Sequence, residues 1–284
     1  MTHLLVANPT AQSGRNAGRI ERALRSLRAA DLDAHLLPTR PHEQTIAAVR
    51  DAVDRGDVEC VIAMGGDGTF REVAAGLLAS ARREDVPLAM LPAGTANNHG
   101  RSFGLSSWLA RNVAVIAARR ETRLDAGLLH TMTASGETIA RTLARAREKS
   151  PPFGVSLVAD GEARELDQVT ELLIKGTPVY AGRWVIDRTS RHDDGLFEVA
   201  AFPDEPSWLW KAAVDMGGGD VLAGWLRARG QGLVKPFRIS RLTLRFNVPR
   251  GASLPPLQLD GEELPGSERA EIEVLPRALR LIVP

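Results

Sequence analysis

Asp67 sits in the run Gly65-Gly66-Asp67-Gly68-Thr69, and the residues on either side give that run a shape. Val61 to Met64 is a short apolar stretch of the kind that forms a buried strand, and Phe70, Val73, Ala74, Leu77 and Leu78 follow at helical spacing. The order is strand, glycine-rich turn, helix. Glycines let backbone N–H groups come close to an anion, and the start of a helix adds a favourable partial charge. Asp67 would repel a bare phosphate, so an acid here suits a loop that also meets a cation, a ribose or a substrate hydroxyl. Nothing in the pattern asks for it on structural grounds. Leu88 to Leu91 is a second apolar strand, followed by Pro92-Ala93-Gly94-Thr95-Ala96-Asn97-Asn98. Two glycine-bearing loops at the carboxyl ends of two parallel strands stand where open α/β sheets bind ligands. For either loop taken alone, a tight strand-to-helix turn is the alternative.

Three further clusters carry acids. Asp260-Gly261-Glu262 can present a carboxylate to an acceptor hydroxyl within hydrogen-bond reach, the requirement for a general base. On local sequence the hairpin turn is the stronger reading, because Asp-Gly is a strong turn dipeptide, and a turn can also present a carboxylate into a cleft. Asp160-Gly161-Glu162 repeats the motif between two strand-like runs and is read as a plain hairpin. Arg191-His192-Asp193-Asp194-Gly195-Leu196-Phe197 reads on its own as a charged turn.

The pair GGDGT and LPAGTANNHGR resembles the diacylglycerol kinase catalytic domain family, which includes bacterial lipid kinases and sphingosine kinases. GGDGT alone is shared with NAD kinases and phosphofructokinases; P-x-G-T-x-N points to the lipid kinases. The resemblance implies a fold with an N-terminal doubly wound parallel sheet and a second domain of mainly antiparallel β sandwich or barrel. It implies transfer of the γ-phosphate of ATP, with Mg²⁺, to a hydroxyl of a diacylglycerol-like or sphingoid lipid. It puts Asn8, Thr39, Gly65, Gly66, Asp67, Gly68, Thr69, Gly94, Thr95 and Asn97 at the nucleotide, with Pro9, Ser13 and Gly14 near it. It makes Glu262 the proton acceptor beside Asp260, with Asp67 acting through a metal or a water. It assigns a structural magnesium to Asp194 and the carbonyls of Arg191 and Leu196, and a hydrogen-bonding, orienting role to Asp125. Departures stand beside the matches. The family's asparagine after GGDGT-x is Arg71 here, its acid is Asn98, its aromatic is His99, and its glycine-rich stretch before DDG is reduced to Tyr180-Ala181-Gly182-Arg183-Trp184. Two alternatives follow: a kinase of a soluble substrate such as NAD, and a nucleotide-binding protein with little or no transfer, which Arg71 and Asn98 motivate.

The elements needed to position these residues are legible in order. Leu4–Ala7 reads as a strand ended by Asn8-Pro9; Ile20, Leu24 and Leu27 mark a helix, His35–Leu37 a strand, and Ile46, Val49 and Val53 a helix with Gly56 beyond its end. Ser106-Ser107 offers an N-cap for a helix through Arg119, and Leu124–Gly127 closes the first half. Glu137–Glu148 looks helical. From Val155 the runs are strand-like, with turns at Asp160-Gly161, Lys175-Gly176, Asp194-Gly195 and Asp260-Gly261. The alternation up to Asp125 argues for a parallel doubly wound sheet. The expected domains are residues 1–125, joined by a C-terminal strand at 277–284, and residues 126–276. A helical interruption, Ser207–Ala228, holds three of the five tryptophans and Gly217-Gly218-Gly219; it reads as core packing or as a mobile flap beside an acyl chain.

The 284 residues suffice for two cores, and a 44% apolar, 25% charged composition is that of a soluble globular protein. A net charge of +1 gives no global field toward nucleic acid, and no basic–aromatic interleaving supports it. The single cysteine, Cys60, excludes an intrachain disulfide and reads as a small core residue. No signal-length or membrane-spanning apolar run is present. The expected setting is cytoplasmic, with a lipid or other hydroxyl-bearing substrate; transient contact with a membrane surface and a homodimer are left open.

Overall fold

The computed structural model describes residues 2–11, 16–41, 44–132, 152–180, 184–248, 253–259 and 262–284, the side chains of 130–132, 262 and 263 excepted. They divide into two compact units, one built from residues up to Leu124 and from Arg277 on, the other from Asp125–Tyr180 and Trp184–Pro276. The helix expected at Glu137–Glu148 lies outside the described residues.

The first unit alternates strands and helices: β1 Thr2–Ala7, α1 Asn16–Arg28, β2 Ala34–Pro38, α2 Gln44–Asp54, β3 Val58–Gly65, α3 Asp67–Leu78, β4 Leu88–Pro92, α4 Asn98–Ser102, α5 Leu109–Ala118 and the start of β5, Glu121–Met132. The strands pair in parallel in the order β2-β1-β3-β4. The end of a long C-terminal strand, Arg269–Ile282, joins β4 in parallel through Leu281 and Leu88. Alternation along each strand sends side chains to two cores. Leu5, Cys60, Ile62, Met64, Ala89 and Leu91 pack with Ile20, Ala23 and Leu27 of α1 and Val113 and Ile116 of α5. Val6, Val61, Ala63, Leu88 and Met90 pack with Val49 and Val53 of α2 and Phe70, Val73 and Leu77 of α3. Helices thus cover both faces, the doubly wound arrangement that the pattern predicts.

One local expectation is corrected. Helix α5 starts at Leu109 with Trp108 at its N-cap position; Ser106 Oγ accepts from the N–H of Trp108, 3.0 Å away, and caps no helix.

The second unit is mainly antiparallel. Strand β6 (Phe153–Ala159) lies between β7 (Glu162–Val169) and β13 (Arg241–Asn247), and β13 also pairs with the first half of β16 (Arg269–Ile282). A second sheet has β11 (Phe197–Phe202) between β8 (Glu171–Lys175) and β12 (Phe237–Ile239). Val155, Leu157 and Leu244 of the first sheet share a core with Val199 and Ile239 of the second, a sandwich packing. The other face of β11, through Ala200 and Phe202, packs on Ala212 of α6 (Glu205–Ala213). A kinked π turn, Val214–Gly218, leads to α7 (Gly219–Ala228). Two short antiparallel pairs join β9 (Val179–Tyr180) to β10 (Trp184–Val185) and β14 (Leu257–Leu259) to β15 (Glu262–Leu264). The repeated Asp160-Gly161 forms the β6–β7 hairpin, with φ of 48° and 93° at its two residues, the positive values that this turn demands.

Candidate functional site

In the sheet order β2-β1-β3-β4 the chain steps from β1 to β2 on one side and from β2 to β3 on the other. The carboxyl ends of β1 and β3 therefore flank a topological switch point, where α/β sheets leave a crevice. Asn8 follows β1, Thr39 follows β2, Gly65–Thr69 follow β3 and Gly94–Asn97 follow β4. All ten residues expected at the nucleotide thus lie along one edge of the first unit. Ser13 and Gly14 fall outside the described residues.

The two glycine loops touch. Ala93 N–H donates to the carbonyl of Gly65 at 2.8 Å, and Gly94 N–H does so at 3.1 Å. A Cβ on Gly94 would stand 2.3 Å from the Cα of Gly66, so no side chain fits there. One on Gly65 would meet Thr69 Oγ1 at 2.4 Å. Gly66 is extended, with φ −92° and ψ −167°, and α3 begins at Asp67. The N–H groups of the first turn of α3 have no intrahelical carbonyls to meet, which leaves donors for an anion. Thr95 is exposed at the tip of the second loop. Asn97 clamps that loop internally: its Oδ1 accepts from Gly94 N–H at 2.9 Å and its Nδ2 donates to Gly94 O at 2.8 Å, with φ of 50°. Asn8 closes a local turn, its Oδ1 accepting from Thr10 N–H and Oγ1 at 3.0 and 2.9 Å. Thr39 N–H donates to Ala7 O at 2.9 Å.

Asp67 has a structural duty that the sequence pattern did not reveal. Its carboxylate is 8% exposed. Oδ2 accepts from Asn98 N–H at 3.0 Å, while Oδ1 accepts from His99 N–H at 3.1 Å and meets His99 Nδ1 at 3.0 Å. The acid therefore ties the start of α4 to the start of α3. Burial raises its pKa, but the His99 ring and the backbone donors of Asn98 and His99 outweigh that and hold it below the ordinary carboxylate value. His99 is the residue of this site to which the sequence assigned no role; its standing where an aromatic was expected was the available signal.

In the second unit, Asp194 Oδ1 accepts from Leu196 N–H at 3.1 Å, and Oδ2 lies 3.8 Å from Arg238 Nη1. Buried Asp125 accepts from Gly195 N–H at 2.6 Å through Oδ2 and donates its own N–H to His192 O at 2.7 Å, so it orients this loop. Arg191 pairs with Asp193 at the surface. A carboxylate and the carbonyls of Arg191 and Leu196 would make an all-oxygen donor set, the chemistry that suits Mg²⁺. Among the described residues no group of three His, Cys, Asp or Glu side chains is placed to hold a metal. Behind the loop lies a charge cluster that sequence reasoning missed. Glu198 is 0% exposed on β11, and its register partners are Lys175 on β8 and Arg238 on β12. Ser190 Oγ donates to Glu198 Oε2; Lys175 Nζ lies 3.7 Å from Oε2, and Arg238 Nε 3.5 Å from Oε1.

Asp260 lies outside the described residues, as does the side chain of Glu262; the backbone of Glu262 pairs with Leu259. Cys60 is buried, and burial pushes its thiol up to about 12, which makes it an inert core residue.

Comparison with known proteins gives a consistent set of likenesses. The family model for the diacylglycerol kinase catalytic domain matches residues 2–129. A relative from Klebsiella pneumoniae, named "Probable lipid kinase YegS-like", is 30% identical over 158 residues, 53% of this chain and 52% of its own length, so the match spans about half of that relative. "Probable lipid kinase YegS" from Salmonella dublin is 27% identical over 259 residues, covering 82% of this chain and 81% of that one. The crystal structure of a diacylglycerol kinase from Bacillus anthracis str. Sterne aligns with a TM-score of 0.71 at 19% identity, over 100% of this chain and 97% of that chain, a likeness of fold.

Proposed function

We propose that the chain, whose residues 2–129 match the family model of the diacylglycerol kinase catalytic domain, is a kinase with an alcohol acceptor that transfers the γ-phosphate of ATP to a hydroxyl of a diacylglycerol-like or sphingoid lipid. The observation that carries this reading is the apposition of Gly65–Thr69 and Gly94–Asn97 at the edge of a doubly wound sheet, with the buried Asp67 carboxylate between two helix starts. In this reading, backbone N–H groups of the first turn of α3 and the Thr95 hydroxyl hold the phosphates, and Asn8 and Thr39 border the nucleotide. Asp67 orients the attacking hydroxyl or a water linked to the nucleotide. Glu262, beside Asp260, takes the hydroxyl proton, so that the attacking oxygen gains nucleophilicity as the phosphoryl group leaves ADP. Magnesium spreads charge during transfer when it is bound. Asp194 and the carbonyls of Arg191 and Leu196 would hold a structural ion, in a loop that Asp125 orients.

The probable lipid kinases among the relatives support the acceptor class, and P-A-G-T-A-N argues against NAD. Incubating the purified chain with γ-labelled ATP, Mg²⁺ and extracted lipids tests the reading. Label in a lipid fraction is expected. Label in NADP, or nucleotide binding without transfer to any lipid, overturns it.

A further inference from the structure

Asp67 and an aromatic ring of its own helix share His99 as a partner. Phe70 follows it by three residues, so the carboxylate and the Phe70 ring share one face of α3. His99 meets both at once. Its ring stacks on Phe70 with centroids 4.6 Å apart and planes 25° apart, and Phe103 lies 6.3 Å away on a tilted plane. Its Nδ1 is 3.0 Å from Asp67 Oδ1. An ionised carboxylate only accepts hydrogen bonds, so Nδ1 carries the proton. A phenyl ring at position 99 would supply the stack; the imidazole supplies the stack and a donor.

The count of lone pairs gives this contact its meaning. A carboxylate offers about four acceptor directions, two on each oxygen. Oδ1 receives two donors, the backbone N–H and the ring N–H of His99, and Oδ2 receives one, from Asn98. Among the described residues nothing takes the fourth direction, on Oδ2, which is open to a reacting group. We propose that His99 is a positioning residue for Asp67: it saturates Oδ1, fixes the carboxylate rotamer against the Phe70 stack, and makes Oδ2 the oxygen that faces the chemistry. This rests on the reading of Asp67 given under the proposed function, and it makes this chain's imidazole part of the reaction geometry.

Two substitutions separate the donor from the ring. His99→Phe keeps the stack and removes the donor. His99→Asn keeps a donor near the position of Nδ1 and removes the ring. The expected result is a drop in kcat of about tenfold for His99→Phe, with KM for ATP within about twofold and melting temperature close to wild type. His99→Asn should melt lower but keep kcat within about threefold of wild type. Turnover that follows the ring rather than the donor overturns the proposal. A second readout needs no catalysis: the ¹⁵N spectrum of the imidazoles, with His99 assigned by its loss in His99→Phe. The Nδ1–H tautomer is expected for His99, giving way on Asp67→Ala. An Nε2–H tautomer overturns the proposal even in a chain that transfers no phosphate, so failure here and failure of the kinase reading are told apart.

Discussion

Asp67 carries two duties, and they separate by substitution. Asp67→Ala leaves the N–H groups of Asn98 and His99 without their acceptor, which should cost about 2 kcal/mol or more in urea denaturation, besides abolishing transfer. Asp67→Asn restores an acceptor and should recover most of the stability but not the activity. The depressed carboxyl adds a pH signature. A group whose folded pKa is lowered stabilises the fold fully above its ordinary value of about 4, and that stability is lost as pH falls through the folded value. The gap in urea midpoint between wild type and Asp67→Asn should therefore be constant from neutral pH down to about 5 and shrink below about 4. A gap that persists unchanged into acid would show that the ionised carboxylate is not what holds the two helix starts. At the same scale, Glu262→Gln should lower turnover by about a hundredfold with little change in ATP affinity. An equal loss of nucleotide binding would move Glu262 from proton transfer to a structural duty.

Elements explain what was legible and what was not. The helix marked by Ile20 and Leu27 and the strand at Val61–Met64 were readable because their apolar residues repeat at 3.6 or form a short buried run, properties local to the chain. The contacts of Asp67 span 31 and 32 residues, and no local rule states them. The charged triad of β8, β11 and β12 was hidden for the opposite reason, since Lys175, Glu198 and Arg238 look like surface residues until three strands set them side by side. Burial pushes Glu198 up and Lys175 down, and the charge of each partner opposes that shift in the other. Lys175→Met should destabilise by about 3–5 kcal/mol, and a Lys175→Met/Glu198→Leu pair should recover much of it. Equal loss in the single and double variants, measured by urea denaturation, would argue against coupling. The tryptophan-rich interruption has a packed part and an exposed part. Trp208 on α6 packs edge-on against Trp184 at 5.1 Å and belongs to the core beneath β11. On α7, Val221 is 87% and Trp225 46% exposed, with the Arg229 guanidinium 4.0 Å from the Trp225 ring centre. Trp208→Ala should cost on the order of 3 kcal/mol and Trp225→Ala under about 1, while a blue shift on adding diacylglycerol vesicles should vanish only in the Trp225 variant.

At the scale of the molecule, each unit closes its core with the same strand. The first half of β16 pairs with β13, and its last residues complete the first unit, where Leu279, Leu281 and Ile282 are buried. Arg280 fastens this end by a two-pronged bond to Glu121 at 2.6 and 2.9 Å and by bonds to the carbonyls of Glu84 and Asp85 at 3.0 and 2.9 Å. Leu281→Ala should cost about 2–5 kcal/mol, and the loss should appear as exposure of amides in β3 and β4 to hydrogen exchange. Protection retained there would mean that the strand only decorates a sheet already complete.

That closure sets an order of events during synthesis. Residues up to Leu124 leave the ribosome before the second unit, yet the strand that finishes their sheet is made only after all of that unit. The nascent first unit waits with the edge of β4 open and two apolar faces incompletely covered, a condition that favours chaperone capture and mispairing. The glycine loops would reach their final spacing only once residues 277–282 have been made, so a chain stalled or cut before them should bind no nucleotide, however long its correctly made amino-terminal part.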